Sequence, residues 1–327
     1  MSIKIPSSIL SLFAVCAVVL LVFATGCTSS TSPQTSTATP VATAAPSVAS
    51  PVATASTTEA TAAPTTSPSA IATTTPKIQS TSSTSATTPS GYVVAYTAAS
   101  LSGASKAITP AFHKQYPDAF VTFNLAGTQQ LKHQIEQGAY ADVFISASSS
   151  YTNSLKSEGY FVNDTVKELT TNYVIVILPS NNPGHISSLA DLANPGVKIA
   201  MGTKDVPIGV VTRQVLDNLG NSTYNTTWEN AVYKNVKTYE TAEPSIATKV
   251  ALGQVDAGFV YESTYKANVK TLTSIDIAKE QNVLQKYQIA VMRLSTNKDA
   301  ANAFEAYMLS ADGGQKILMD YGFRPVS

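Results

Sequence analysis

The sequence predicts an α/β protein whose sheets are mostly parallel and covered on both faces by helices. From Val93 onwards, short apolar runs alternate with stretches in which apolar residues recur every three or four positions, the mark of strand–helix units. One run, YVIVIL at Tyr173–Leu178, is apolar without alternation, as a strand buried on both faces must be. The stretch from Gly91 to Ser327 is long enough for one large domain or for two lobes of about 100 residues each.

The elements follow in order. Val93–Tyr96 reads as a buried strand, and Leu101, Ala104, Ile108 and Phe112 then share one helical face, with Ser100 as N-cap. Pro110 predicts a kink or restart in that helix, with Thr109 as the new cap. Phe120–Leu125 is a strand, Thr128–Gln137 a helix closed by Gly138, and Asp142–Ser146 a strand. After Tyr173–Leu178, which Pro179 ends, come a short helix near Ser188, a strand at Val197–Met201 and a helix over Pro207–Leu219. Pro244–Leu252 reads as a helix stopped by Gly253, Ala257–Tyr261 and Tyr287–Arg293 as strands, and Ala300–Tyr321 as helix.

The first 90 residues differ in kind. Lys4, an apolar run from Ile9 to Ala24, and small residues before Cys27 describe a secretory leader with a lipoprotein-like processing site, although Ala24 stands where such sites usually carry Leu; lipid on the Cys27 thiol, or the leader itself kept as an uncleaved anchor, would hold the chain at a membrane. Residues 28–90 are almost wholly Ser, Thr, Ala and Pro, too poor in large apolar side chains to offset the entropy of ordering, so a disordered stalk is expected. Such a chain reaches on the order of 45 Å.

Composition narrows the chemistry. The only cysteines, Cys16 and Cys27, lie in the leader region, so the globular part has no disulfide, thiolate metal site or cysteine nucleophile. His113, His133 and His185 lack metal-ligand spacing, so no metal site and no cofactor is expected. The chain carries 21 basic and 21 acidic residues with no basic patch, which argues against a nucleic-acid partner.

What the strand ends share is more informative. Strand Val93–Tyr96 leads to small residues and Ser100; Phe120–Leu125 leads to Ala126, Gly127 and Thr128. Val197–Met201 leads to Pro207, Ile208 and Gly209, and Tyr239–Glu243 leads to Pro244. Each junction is a predicted helix N-terminus, where unpaired N–H groups and a partial positive charge favour an anion, and ligands of open α/β sheets bind at such strand ends. With Lys204 the only basic side chain nearby, the ligand implied is a compact anion held by neutral donors.

The segments AASL at Ala98–Leu101, LAGTQQLKHQIEQGAYADVFISA at Leu125–Ala147, DVPIGVVTRQVLDNLG at Asp205–Gly220, KVALGQVDAGFVY at Lys249–Tyr261 and YGF at Tyr321–Phe323 stand in an order that resembles the molybdate-binding proteins of ABC importers. The resemblance implies a two-lobed periplasmic-binding-protein fold of type II. One lobe would take residues 91–172 and 290–327, the other 173–289, closing on a tetrahedral oxyanion such as molybdate or tungstate for delivery to an ABC permease. It also implies hydroxyl donors at Ser100 and Thr128, backbone N–H donors at Ile208 and Glu243, and a phenol donor at Tyr261. Thr128 stands for a Ser, Ile208 for an Ala, and Glu243 for a Val, which brings a carboxylate near the anion. The protein is then expected to be a monomeric, lipid-anchored, extracytoplasmic binder and not an enzyme.

Other readings exist. Sulfate or phosphate would suit similar donors, although phosphate usually keeps a proton and favours a site with an acceptor carboxylate. Ser263 and Lys266 fit the S-x-x-K pattern of penicillin-binding enzymes, but the companion S-D-N and K-T-G patterns are absent. A surface adhesion module would suit the stalk but has no need of donors gathered at several strand ends.

Overall fold

The computed structural model describes residues 88–162 and 165–326; the leader, Cys27 and the stalk lie outside them. Within them, β1 (Gly91–Ala98), α1 (Ser102–Gln115), β2 (Ala119–Ala126), α2 (Thr128–Glu136), β3 (Val143–Ser146), α3 (Ser149–Ser157) and β4 (Lys167–Asn172) follow one another. The chain then enters a second sheet through β5 (Val174–Pro179), β6 (Ile199–Gly202), α4 (Pro207–Ser222), α5 (Thr226–Asn235), β7 (Val236–Glu240), α6 (Glu243–Ala251), β8 (Ala257–Tyr261), α7 (Glu262–Ala267) and β9 (Leu272–Ile275). It returns with β10 (Gln285–Val291), and α8 (Lys298–Leu309) and α9 (Lys316–Asp320) close the fold.

Two five-stranded sheets result, ordered β2-β1-β3-β10-β4 and β7-β6-β8-β5-β9. They are mixed rather than mostly parallel. Strands joined by helices pair in parallel, β1 with β2 and β3, and β6 with β7 and β8. The strands that arrive across the crossings, β10 and β5, run antiparallel to their neighbours, because no helix returns the chain to the starting edge first. β10 lies whole in the first sheet, so the boundary read at 289/290 would cut a strand; the return crossing falls between β9 and β10.

Several local expectations are corrected. Pro110 sits inside α1, which continues through it. It lies on the exposed face, where water can meet the one freed carbonyl, and Thr109 bonds back to the Ser105 carbonyl at 3.1 Å instead of capping a new helix. The helix expected over Ala300–Tyr321 breaks at Gly313, whose backbone (φ −105°, ψ −114°) is not helical. β4, β9, α3, α5 and α7 are not among the elements read from the sequence; β4 has Leu169 as its only large apolar residue, whereas Ser148 and Asn225, which cap α3 and α5, are local signals that the reading passes over. By contrast β5 is buried at every position, as its unbroken apolar run requires. Among the described residues no helix is long and apolar enough to cross a membrane.

The acidic residues at strand starts are structural. Asp142 accepts from the Val94 N–H at 2.8 Å and from Ser295 Oγ at 2.6 Å, while Asp256 accepts from the Lys198 N–H at 2.8 Å. Each carboxylate ties down a neighbouring backbone segment.

Candidate functional site

Four helix starts meet between the sheets. A short 3-10 turn over Ala99–Leu101 opens α1, and Thr128, Pro207 and Glu243 are the first residues of α2, α4 and α6. The first N–H groups of a helix have no intrahelical partner, so each start presents donors. Pro207 and Pro244 suit these first turns, since their missing N–H groups would have been unpaired there anyway. The turn from β6 into α4 is so tight that a Cβ on Gly209 would overlap the Thr203 carbonyl, and this closeness carries the Ile208 N–H to the strand end.

These starts surround one cavity, partly open to solvent, with about 230 Å³ of empty space in and at its mouth. Its lining includes all five residues singled out from the sequence, Ser100, Thr128, Ile208, Glu243 and Tyr261, with small walls at Ala98, Ala99, Gly127 and Ala147. None of the lining residues is Lys or Arg; Lys204 is not among them.

Two aliphatic hydroxyl side chains stand in the cavity wall. Thr128 Oγ1 accepts from the Ala147 N–H at 3.2 Å, which orients the oxygen and leaves its own proton free. Ser100 does not cap a helix as expected: its Oγ lies 2.9 Å from Tyr287 Oη, and both residues are buried. With Tyr287 donating, the Ser100 proton is free for a ligand. Burial, then the nearby Glu243, pushes the Tyr287 phenol well above its usual range, so it keeps the proton to donate.

Tyr261 is the most telling member. Its side chain is 1% exposed, and among the described residues its Oη has no hydrogen-bond partner. Burial first, and then Tyr287 and Glu243, holds its phenol well above the usual 10, so it is a neutral donor with nothing to donate to. Buried polar groups are almost always paired, and an orphan at a cavity wall points to a ligand.

Glu243 is held away from the role of free counter-charge. Oε1 accepts from the Tyr261 N–H at 2.9 Å and Oε2 from Thr264 Oγ1 at 2.8 Å. Burial raises its pKa from 4.5 to about 7, although both hydrogen bonds pull the other way. The carboxyl is thus part-neutral near pH 7, which softens its repulsion of an anion.

Sequence reasoning missed Tyr287, whose partner Ser100 is 187 positions away, and Thr264, 21 positions from Glu243. No local pattern links such residues. The S-x-x-K reading gains nothing, since Ser263 Oγ is bonded by Asn172 Nδ2 at 2.8 Å and Lys266 is exposed.

Two α/β lobes facing a donor-lined cavity define a solute-binding protein. Residues 93–324 match the family of bacterial extracellular solute-binding proteins, and the chain belongs to that family. It is 31% identical to the molybdate-binding protein ModA of Mycobacterium tuberculosis strain H37Rv over 231 residues, 71% of this chain and 84% of that protein. It is 28% identical over 229 residues, 69% of this chain and 84% of the relative, to YvgL of Bacillus subtilis strain 168, assigned as an ABC-transporter substrate-binding lipoprotein. Among solved structures, the substrate-binding domain assigned to a molybdenum ABC transporter of Clostridium difficile superposes with a TM-score of 0.57 at 30% identity, covering 72% of this chain and 99% of that one.

Proposed function

We propose that this chain captures molybdate or tungstate between its lobes and delivers it to an ABC permease. The observation that carries the reading is Tyr261 Oη, a buried, protonated donor without a partner among the described residues, on the wall of a cavity lined by no Lys or Arg. Molybdate and tungstate are fully deprotonated at neutral pH, so they need donors and offer acceptors. The donors are the hydroxyls of Ser100 and Thr128, the N–H groups of Ile208 and Glu243, and the Tyr261 phenol. Each hydrogen bond to a charged partner contributes about 1.5–3 kcal/mol, and several together support micromolar or tighter binding after the cost of association. The relatives' described ligand, molybdate, supports the same choice among oxyanions.

The protein acts as a monomeric binder rather than an enzyme, outside the cytoplasm and tethered by lipid on Cys27, with the Ser/Thr/Pro stretch as its stalk. Calorimetry on the full chain with molybdate, tungstate, sulfate and phosphate tests the assignment. Binding of molybdate or tungstate well ahead of sulfate is expected. Tighter sulfate binding removes the choice of anion, and no binding of any of the four removes the oxyanion reading.

A further inference from the structure

Beside the cavity, two side chains of the first lobe reach directly across to the second. Tyr151 of α3 donates its phenol to the Asp205 carbonyl at 2.6 Å, and Gln129 of α2 donates its amide N–H to the Thr241 carbonyl at 2.9 Å. Neither donor lines the cavity. Their acceptors lie in the two loops that lead into α4 and α6, the helices whose starts carry Ile208 and Glu243.

The fit at the second bridge is close. A Cβ on Gly127 would stand 2.6 Å from the Thr241 carbonyl oxygen and 2.5 Å from Gln129 Nε2, so only glycine lets the lobes approach this far. Among the described residues Gln129 Oε1 is buried and has no hydrogen-bond partner. A flipped amide would set that oxygen against the Thr241 carbonyl, so the side chain keeps its N–H on the bridge and leaves the oxygen without a partner.

We propose that Gln129 and Tyr151 are closure latches, positioning residues that set how long a captured anion is held without touching it. The inference rests on the oxyanion reading for its ligand but on the cross-lobe geometry for its residues. An anion arriving at an open cleft meets neither latch, so the latches leave association alone and oppose reopening. Because they bond backbone carbonyls and not the ligand, they slow the release of every oxyanion by the same factor.

Stopped-flow measurement on the full chain, with molybdate and with tungstate, tests this in Tyr151→Phe and Gln129→Ala, at two positions that do not line the cavity. Loss of one neutral hydrogen bond speeds release about two- to tenfold. Association stays within about twofold of wild type, and the factor is common to both anions. Hydrogen exchange of the anion-saturated chain gives a second readout: the amides of loops 203–206 and 241–243 exchange faster in both variants. Unchanged release, a loss that falls on association, or a factor that differs between the anions overturns the latches. If wild type binds neither anion, the oxyanion reading fails, and exchange of the free chain in the closed arrangement, with both bridges formed, decides the latches alone: unchanged protection in the variants overturns them.

Discussion

Tyr261→Phe separates a donor kept for a ligand from a donor kept for the fold. In most buried tyrosines, removing the hydroxyl breaks a hydrogen bond and lowers stability. Here Oη has no partner among the described residues, so the substitution breaks nothing in the free protein and removes an unsatisfied polar atom from the interior. An unpaired buried group costs about 1–3 kcal/mol, so the ligand-free variant should be as stable as wild type or more stable, by up to about 1 kcal/mol after relaxation. With the anion bound the sign reverses. The lost hydrogen bond to a charged partner is worth about 1.5–3 kcal/mol, a rise in Kd of about 10- to 150-fold. The assay is a pair of measurements, calorimetric affinity for molybdate and thermal unfolding with and without the anion. Wild type should gain more in Tm from saturating anion than the variant does, because the stabilisation follows the affinity. A variant that is markedly less stable without anion, or that binds as tightly as wild type, refutes the reasoning, since the phenol then serves the fold or faces away from the ligand.

Ser100→Ala should weaken anion binding by about 1–3 kcal/mol and, unlike Tyr261→Phe, should also lower ligand-free stability, because it removes a hydrogen bond from the buried Tyr287 phenol; titration and chemical unfolding of one sample give both values. Glu243 makes affinity depend on pH: its carboxyl is neutral below about 7 and ionised above, so anion affinity should fall between pH 6 and 8.5 in wild type and stay flat in Glu243→Gln. For stability the same sign holds. A carboxyl raised from 4.5 to about 7 is favourable below 4.5, and about 3 kcal/mol is lost as the pH climbs through 7, a slope that unfolding of Glu243→Gln across that range should lack. Gly209→Ala should push α4 off the end of β6 and reduce affinity at least tenfold, with a normal circular dichroism spectrum; unchanged affinity would mean that the Ile208 N–H does not serve the ligand.

The fold class and most of the cavity wall were legible in the chain. Alternating apolar runs and helical periods, the unbroken YVIVIL run and the small or hydroxylated residues at strand ends are local signals, because burial and helix capping act over a few residues. Ser100, Thr128, Ile208, Glu243 and Tyr261 sit at such ends, and all five line one cavity. The direction of β5 and β10, the bond between Ser100 and Tyr287, the grip of Tyr261 and Thr264 on Glu243, and the bridges from Gln129 and Tyr151 were not legible. These join groups 18 to 187 positions apart, chosen by how two sheets pack. The chain alone therefore determined which strand ends would carry donors, since that depends on neighbours in sequence. Only the tertiary structure decided where those donors aim and which are already paired, because a hydrogen bond is satisfied by distance and direction in space.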